Sequence, residues 1–331
     1  MTTKIEVNYQ PDILGAGYEQ VTLDLPNDYE GQVVATLVRK KAAEPTKKAV
    51  LYIHGFIDYF FQTEMAERFN EQGFDFYALD LRKYGRSYLP HQKYYNVHSL
   101  SEYDAEITQA LDIIGQESHD AVLLCGHSTG GLTTTLYAAH HPDHPLIKAL
   151  WANSPFYDFN MSRLEKKFAI PRMAAMGKRF PNLLFPSRLN KWYVPSLHAS
   201  HHGEWNFNLE WKKVRYPMVR LSFVHAIHEA QKELHQGVQL SIPVLIMHSH
   251  QTTYPRKFNR HAQSSDVILE VQDMIQHASK ISGDVTLCEI HNGLHDLVLS
   301  EKAVREQVYQ QIFNFNKVTN VNFIGQLCTR T

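Results

Sequence analysis

The chain has 331 residues, 44% of them hydrophobic and 20% charged, enough to bury a large core in one enzyme-sized unit with one appended subdomain. Its 33 basic residues against 34 acidic ones leave a formal charge of −1, so no basic field argues for nucleic acid or an anionic membrane surface, and small molecules are the expected partners. The opening MTTKIEVNYQPDILGAG lacks a basic start followed by a long apolar run, and no stretch approaches the ~18 apolar residues of a spanning helix, which predicts a cytoplasmic chain without a transmembrane segment.

Strand and helix signals then alternate along the chain. VVATLVR (33–39) and AVLYIHG (49–55) read as strands, a helix follows around Glu64 to Gln72, and DFYALDL (75–81) is the next strand. A helix near 100–114 leads to the apolar run 121–125 and a second helical pattern. KALWANSP (148–155), PVLIMHS (243–249) and DVTLCEI (284–290) are further strands, and a last helix starts near Ser300. This rhythm predicts an α/β fold with a mostly parallel sheet covered on both faces. Residues 157–240 break it with Pro, aromatic and basic residues and no clear apolar strand, and read as an inserted cap. Cys125, Cys288 and Cys328 are an odd number without metal-type spacing, which predicts reduced thiols.

The richest segment is AVLLCGHSTGGLTTTLYAAHH, residues 121–141, with Ser128 between Gly126 and Gly130. At about 7% each for Gly and Ser, chance supplies that three-residue pattern in roughly one chain in ten of this length, so context must carry it. A buried-type strand precedes the serine, and Leu132, Leu136 and Ala139 follow at helical spacing. Strand, tight turn and helix in that order form a nucleophile elbow, which lifts a serine hydroxyl above the sheet edge beside a helix N-terminus. A turn of small residues with no chemistry is the competing reading.

Other elements supply partners for Ser128. In LYIHGFIDYF, His54 and Gly55 end a strand, and the backbone NH of Phe56 can join that of Thr129 as an oxyanion hole, while His54 itself reads as structural. Among the 20 histidines, His295 lies in the turn CEIHNGLHDLVLS after the last strand, just past Asn292 and Gly293, where a base is expected; His291, at the strand end, is its main competitor. Asp266, between PVLIMHS and a helical stretch near Glu270, is the candidate acid, giving the order Ser128, Asp266, His295. Asp158, after the preceding strand, is its rival.

GHSTGG, the HGF loop, the DLRKYGRS turn (80–87) and the NGLHDLVLS tail together resemble the α/β-hydrolase superfamily over nearly the whole chain. Within it the chain looks like the monoacylglycerol lipase and lysophospholipase group, the serine aminopeptidase-like hydrolases, whose helical cap follows the sixth strand. The resemblance implies an eight-stranded sheet with core residues 1–156 and 241–331 and a cap at 157–240. It also implies ester cleavage through an acyl-enzyme without metal or organic cofactor, and a triad falling on Ser128, Asp266 and His295. One departure is visible: the group pattern has Gly after the His of the seventh strand and an acid a few residues on, whereas here Met247, His248 and Ser249 lead into the long QTTYPRKFNRHAQSS. The DLRKYGRS turn also lacks one of the usual glycines.

The expected substrate is a small-molecule ester with an apolar acyl group, received by an aromatic-rich cap in which no single ring is assigned a role. Two other readings stay open. Amide or peptide hydrolysis would need cap acids such as Glu204 and Glu210 to hold a substrate amine, and a ligand-binding protein could retain the same scaffold without turnover. The histidines of HASHHGEW (198–205) lack partners at a metal-ligand spacing.

Overall fold

A computed structural model describes residues 7–318. The tail from Thr319, with Cys328, lies outside the described residues. The main sheet contains β1 (Gln10–Pro11), β2 (Tyr18–Asp28), β3 (Gly31–Lys40), β4 (Lys48–Ile53), β5 (Asp75–Asp80), β6 (Ala121–His127), β7 (Ile147–Asn153), β8 (Val244–Ser249) and β9 (Val285–Ile290). They lie in the order β1-β2-β3-β5-β4-β6-β7-β8-β9. From β5 to β9 every neighbouring pair is parallel, while β1, β2 and β3 join antiparallel. Eight of these are full strands, as the family resemblance implies; the ninth, β1, is a two-residue edge.

The helices are α1 (Thr63–Glu71), α2 (Asp104–Gln116), α3 (Thr129–His140), α4 (Ile170–Arg179), α5 (Tyr193–Leu197), α6 (Leu221–Gln236), α7 (Val271–Ala278) and α8 (Lys302–Val318). Successive strand side chains point to opposite faces, and the central strands divide their apolar residues accordingly. Leu51, Val122, Leu124 and Ile246 join one buried cluster with α2, α3 and α6, whereas Val50, Leu123, Trp151 and Met247 join a second with α1 and α8. Continuous apolar runs such as VLLC thus become strands buried on both faces, as parallel sheets require. Cys125 and Cys288 are free thiols on β6 and β9.

Residues 157–240 leave the sheet after β7 and return before β8. They carry a short π-helical turn (Glu165–Ala169) running into α4, then α5, then α6, with a two-residue antiparallel ladder joining Leu184–Phe185 to Val219–Arg220. Helix α6 buries Phe223, Ile227 and Leu234 in the core cluster of α2 and α3. Its beginning also receives α4 at close range, because a Cβ on Gly177 would lie 2.0 Å from the Leu221 carbonyl oxygen. Among the described residues no helix is long and apolar enough to cross a membrane.

Candidate active site

The carboxyl ends of the parallel strands gather the singled-out residues at one sheet edge. Ser128 follows β6 directly and sits at φ +54°, ψ −116°, a conformation L-residues rarely adopt. Crowding explains the flanking glycines: a Cβ on Gly126 would lie 2.3 Å from the Gly130 carbonyl oxygen, and one on Gly130 would lie 2.4 Å from that of Ile53. The turn is held by Ser128 NH donating to Asn153 O at 2.9 Å and by Phe156 NH donating to Ser128 O at 2.9 Å. Gly130→Ala therefore forces α3 away from β4. We expect a loss of about 3 kcal/mol and a melting temperature lower by roughly 5 °C; a thermal denaturation curve unchanged from wild type would show that the contact relaxes freely.

A hydrogen-bonded chain runs from this serine. Ser128 Oγ lies 3.0 Å from His295 Nε2, and His295 Nδ1 lies 2.8 Å from Asp266 Oδ2. All three residues are buried, Asp266 completely. The other carboxylate oxygen, Oδ1, accepts the backbone NH groups of Ile268 at 2.7 Å and Leu269 at 2.8 Å, which fixes the plane of the acid. His295 is carried by the turn after β9, where Asn292 takes φ +58° and Leu294 NH donates to Ser300 Oγ. The Tyr193 ring, from α5, meets the imidazole edge-on at 5.6 Å.

The long loop before Asp266 leaves this geometry intact because its ends are stapled together. Asp266 NH donates to Gln251 O and Thr253 NH donates to Asp266 O, both at 3.0 Å, so residues 254–265 bulge outward between two nearly touching anchors. The rival Asp158 is engaged elsewhere, 2.8 Å from Lys166 Nζ and 3.4 Å from His277 Nε2. Burial pushes its carboxyl up, but the hydrogen bonds from His277 and Lys166 outweigh this and hold it below the usual range. Asp296 accepts Asn153 Nδ2 at 2.8 Å and Gln62 Nε2 at 3.0 Å. His291 points into solvent beside Glu289.

Phe56 and Thr129 both line the cavity at Ser128. Thr129 opens α3, where an NH has no intrahelical acceptor, and among the described residues no acceptor takes the NH of Phe56. The Phe56 ring is wedged against Phe223 at 4.4 Å and Tyr95 at 5.2 Å, which steadies its loop. His54 is structural, as expected: Nδ1 donates to Gly55 O at 2.7 Å and Nε2 accepts Leu81 NH at 3.0 Å. It thereby ties this loop to the 80–87 turn, in which Asp80 accepts Phe60 NH and pairs with Arg86.

Two adjoining cavities meet here. The smaller, about 50 Å³, holds Ser128 and His295 together with the buried ion pair Asp58–Lys212 at 2.7 Å. Tyr193 also lines it, its hydroxyl buried and without a partner among the described residues. The larger, about 320 Å³, is apolar, with Phe159, Met173 and Phe223 in its wall, and shares Phe56, Phe156, Leu189, Ile268 and Leu269 with the first. Lys212 and Asp58 escaped the sequence reading. Asp58, four residues past His54 on the HGF loop, could have been noticed; nothing local marks Lys212, which only tertiary packing brings in from the segment between β7 and β8. Glu204 and Glu210 stay outside, paired with Arg305 and Lys213.

Two other His/Asp groups approach ligand spacing among the described residues, Asp158–His235–His277 and Asp58–His127–Asp296. In the first the imidazoles stack face to face at 3.6 Å and 13°, so their in-plane lone pairs cannot converge on one ion. In the second each carboxylate already has a partner, Lys212 for Asp58 and Asn153 for Asp296. Burial lowers His127 to about 4, which keeps it a neutral neighbour of His295 near pH 7. The HASHHGEW histidines belong to neither group.

A serine elbow at the carboxyl edge of a mostly parallel, helix-covered sheet, joined to an imidazole and a carboxylate on later loops, defines an α/β-hydrolase. The chain belongs to the family described as serine aminopeptidase, S33, whose model matches residues 44–302. Its fold is similar to that of a monoacylglycerol lipase from Paleococcus ferrophilus, with TM-score 0.64 and 18% identity over 86% of this chain and 99% of that one. It is similar also to a soluble variant of the monoglyceride lipase from Saccharomyces cerevisiae, solved with a substrate analogue, with TM-score 0.64 and 14% identity over 96% of this chain and 98% of that one. In sequence it resembles epoxide hydrolase 4 of Mus musculus, 32% identical over 115 residues. That match spans 34% of this chain and only 30% of the relative.

Proposed function

We propose that this protein is a serine hydrolase of carboxylic esters, with residues 157–240 as its cap, and that Ser128 forms the acyl-enzyme. The observation that carries the reading is the Ser128–His295–Asp266 chain at 3.0 and 2.8 Å, opening onto an apolar cavity. His295 Nε2 takes the proton of Ser128 Oγ as the hydroxyl attacks the ester carbonyl, and returns it to the departing alkoxide. The NH groups of Phe56 and Thr129 carry the oxyanion, each contributing about 3 kcal/mol to the transition state. Water, deprotonated by the same imidazole, then releases the acid. Neither half-reaction calls for a metal or organic cofactor.

The cavities divide the ester. An apolar acyl group suits the larger space, whose 320 Å³ lies near the lower end for ligand pockets and favours short to medium chains. The smaller space, with Lys212, Asp58 and the Tyr193 hydroxyl, suits a small polar alcohol. Aminopeptidase action fits less well, because a substrate amine needs a free carboxylate and the one lining the site, Asp58, is neutralised by Lys212. Epoxide opening is disfavoured by chemistry: a serine attacking an epoxide carbon gives an ether, which water would not release, whereas an acyl-serine hydrolyses readily.

Rates over p-nitrophenyl esters of graded chain length, beside one aminoacyl anilide, test this reading. Ester turnover should peak at short to medium chains, and Met173→Trp should move that peak to shorter ones. A faster anilide would favour the peptidase, and flat, negligible rates would favour a binding protein.

A further inference from the structure

The near-neutral charge of the whole chain conceals a segregated distribution. Between Arg163 and Lys191 there are eight Lys and Arg residues and a single acidic one, Glu165. The same stretch is unusual in what it exposes. Leu164, Phe168, Met176, Phe180, Leu183 and Leu184 all face solvent, from 45% to 70% exposed, and Met218 joins them from across the short ladder. That is seven of the eleven large hydrophobic side chains that the described residues expose, concentrated in one stretch of chain and beside the strand paired with it.

The local geometry explains how the patch is presented. Helix α4 turns Ile170, Ala174 and Gly177 inward at helical spacing. Phe168, Met176 and Phe180 remain outside, among Lys167, Arg172, Lys178 and Arg179. Cations sit over the outer rings, Lys167 at 5.4 Å and Arg172 at 5.7 Å from Phe168, and Arg179 at 5.4 Å from Phe180. The Leu184–Phe185/Val219–Arg220 ladder then links outside to inside. Leu184 and Met218 are exposed, while their neighbours Phe185 and Val219 line the larger cavity. One thickness of chain separates the outer patch from the apolar space leading to Ser128.

We propose that this face of the cap, centred on α4 and the turn through Leu184, docks on an anionic lipid bilayer. Apolar side chains ringed by Lys and Arg are what an interfacial segment needs: the rings and aliphatic chains enter the acyl boundary while the cations meet anionic headgroups. The placement also deepens the reading above, since an ester dissolved in the bilayer would meet the cavity wall without crossing water. That last step rests on the proposed hydrolysis; docking itself does not.

The test uses full-length protein carrying Ser128→Ala, so that vesicle binding is read independently of any reaction. Flotation with vesicles of equal parts phosphatidylglycerol and phosphatidylcholine should show binding roughly ten-fold or more tighter than with phosphatidylcholine alone, weakening as salt is raised. Lys178→Glu/Arg179→Glu should lose at least roughly ten-fold of that affinity, and Phe180→Ser/Leu184→Ser should abolish it. The same pairs of substitutions on the wild-type Ser128 background should keep their melting temperature and their rate on a soluble short-chain ester, which excludes misfolding. Equal binding to both kinds of vesicle, or variants that bind as tightly as the parent, would overturn the proposal. So would self-association that Phe180→Ser/Leu184→Ser removes in a protein that ignores vesicles, which would give the face to a second copy of the chain.

Discussion

Replacing Ser128 by Ala should lower ester turnover by roughly 10⁴- to 10⁶-fold, the largest effect expected of any single change in this protein. In the proposed reaction the hydroxyl is at once the attacking atom and the proton donor to His295, and the nearest other hydroxyl in sequence, that of Thr129, has no hydrogen bond to the imidazole among the described residues. The fold should survive. Ser128 already holds a strained backbone fixed by Asn153 and Phe156, and alanine accepts the same hydrogen bonds. A small residue of activity should remain, because oxyanion donors and binding act without the nucleophile. The checks are kcat on a short p-nitrophenyl ester, covalent labelling by a fluorophosphonate, and a melting curve. Turnover unchanged in the mutant would remove the acyl-enzyme from consideration.

Asp266→Asn should be nearly as damaging, with kcat down by about 10⁴-fold. The carboxylate oxygen at 2.8 Å holds the His295 proton on Nδ1, leaving Nε2 free to accept from Ser128. An amide in the same place can offer its NH₂ and stabilise the opposite tautomer, which leaves Nε2 carrying a proton it cannot exchange usefully. The two backbone donors from Ile268 and Leu269 should keep the side chain in position, so KM should change little. Asp158→Asn is the matched control. It breaks a contact with Lys166 and His277 and should leave kcat within about three-fold while lowering stability by about 1 kcal/mol. Reversed results for the two variants would transfer the role of the acid to Asp158.

The parts of this molecule readable in its sequence are those set by local chemistry. Ser128 was legible because its strand, glycines and helix are contiguous, and each glycine answers a contact inside the same turn or with the next strand. His295 was legible by position after the last strand. Asp266 was harder, since sequence distance suggested displacement; the pairing of Gln251 and Thr253 with Asp266 cancels that distance, and no residue pattern announces it. Strand β2 did not stand out, because YEQVTLDLPND buries only Tyr18, Leu23 and Leu25 between charged and polar residues. The Asp58–Lys212 pair and the shared wall of the two cavities come from packing between segments far apart in the chain and were beyond reach. The basic residues of 157–240 were in plain view, but which of the apolar side chains among them face solvent is decided only by the packing.

The loop bulging between Thr253 and Asp266 does more than avoid disturbing the acid. Its Pro255 carbonyl accepts Asn190 Nδ2, its Phe258 ring stacks on His202, and Gln263 donates to the carbonyls of Ser196 and His202. The loop is therefore a tether, fastened at one end to the carboxylate that orients His295 and along its length to the 190–202 part of the chain. Displacing that part as a unit would put tension on the residue that aims the imidazole. The extra loop length here couples the position of residues 190–202 to the orientation of the His295 ring.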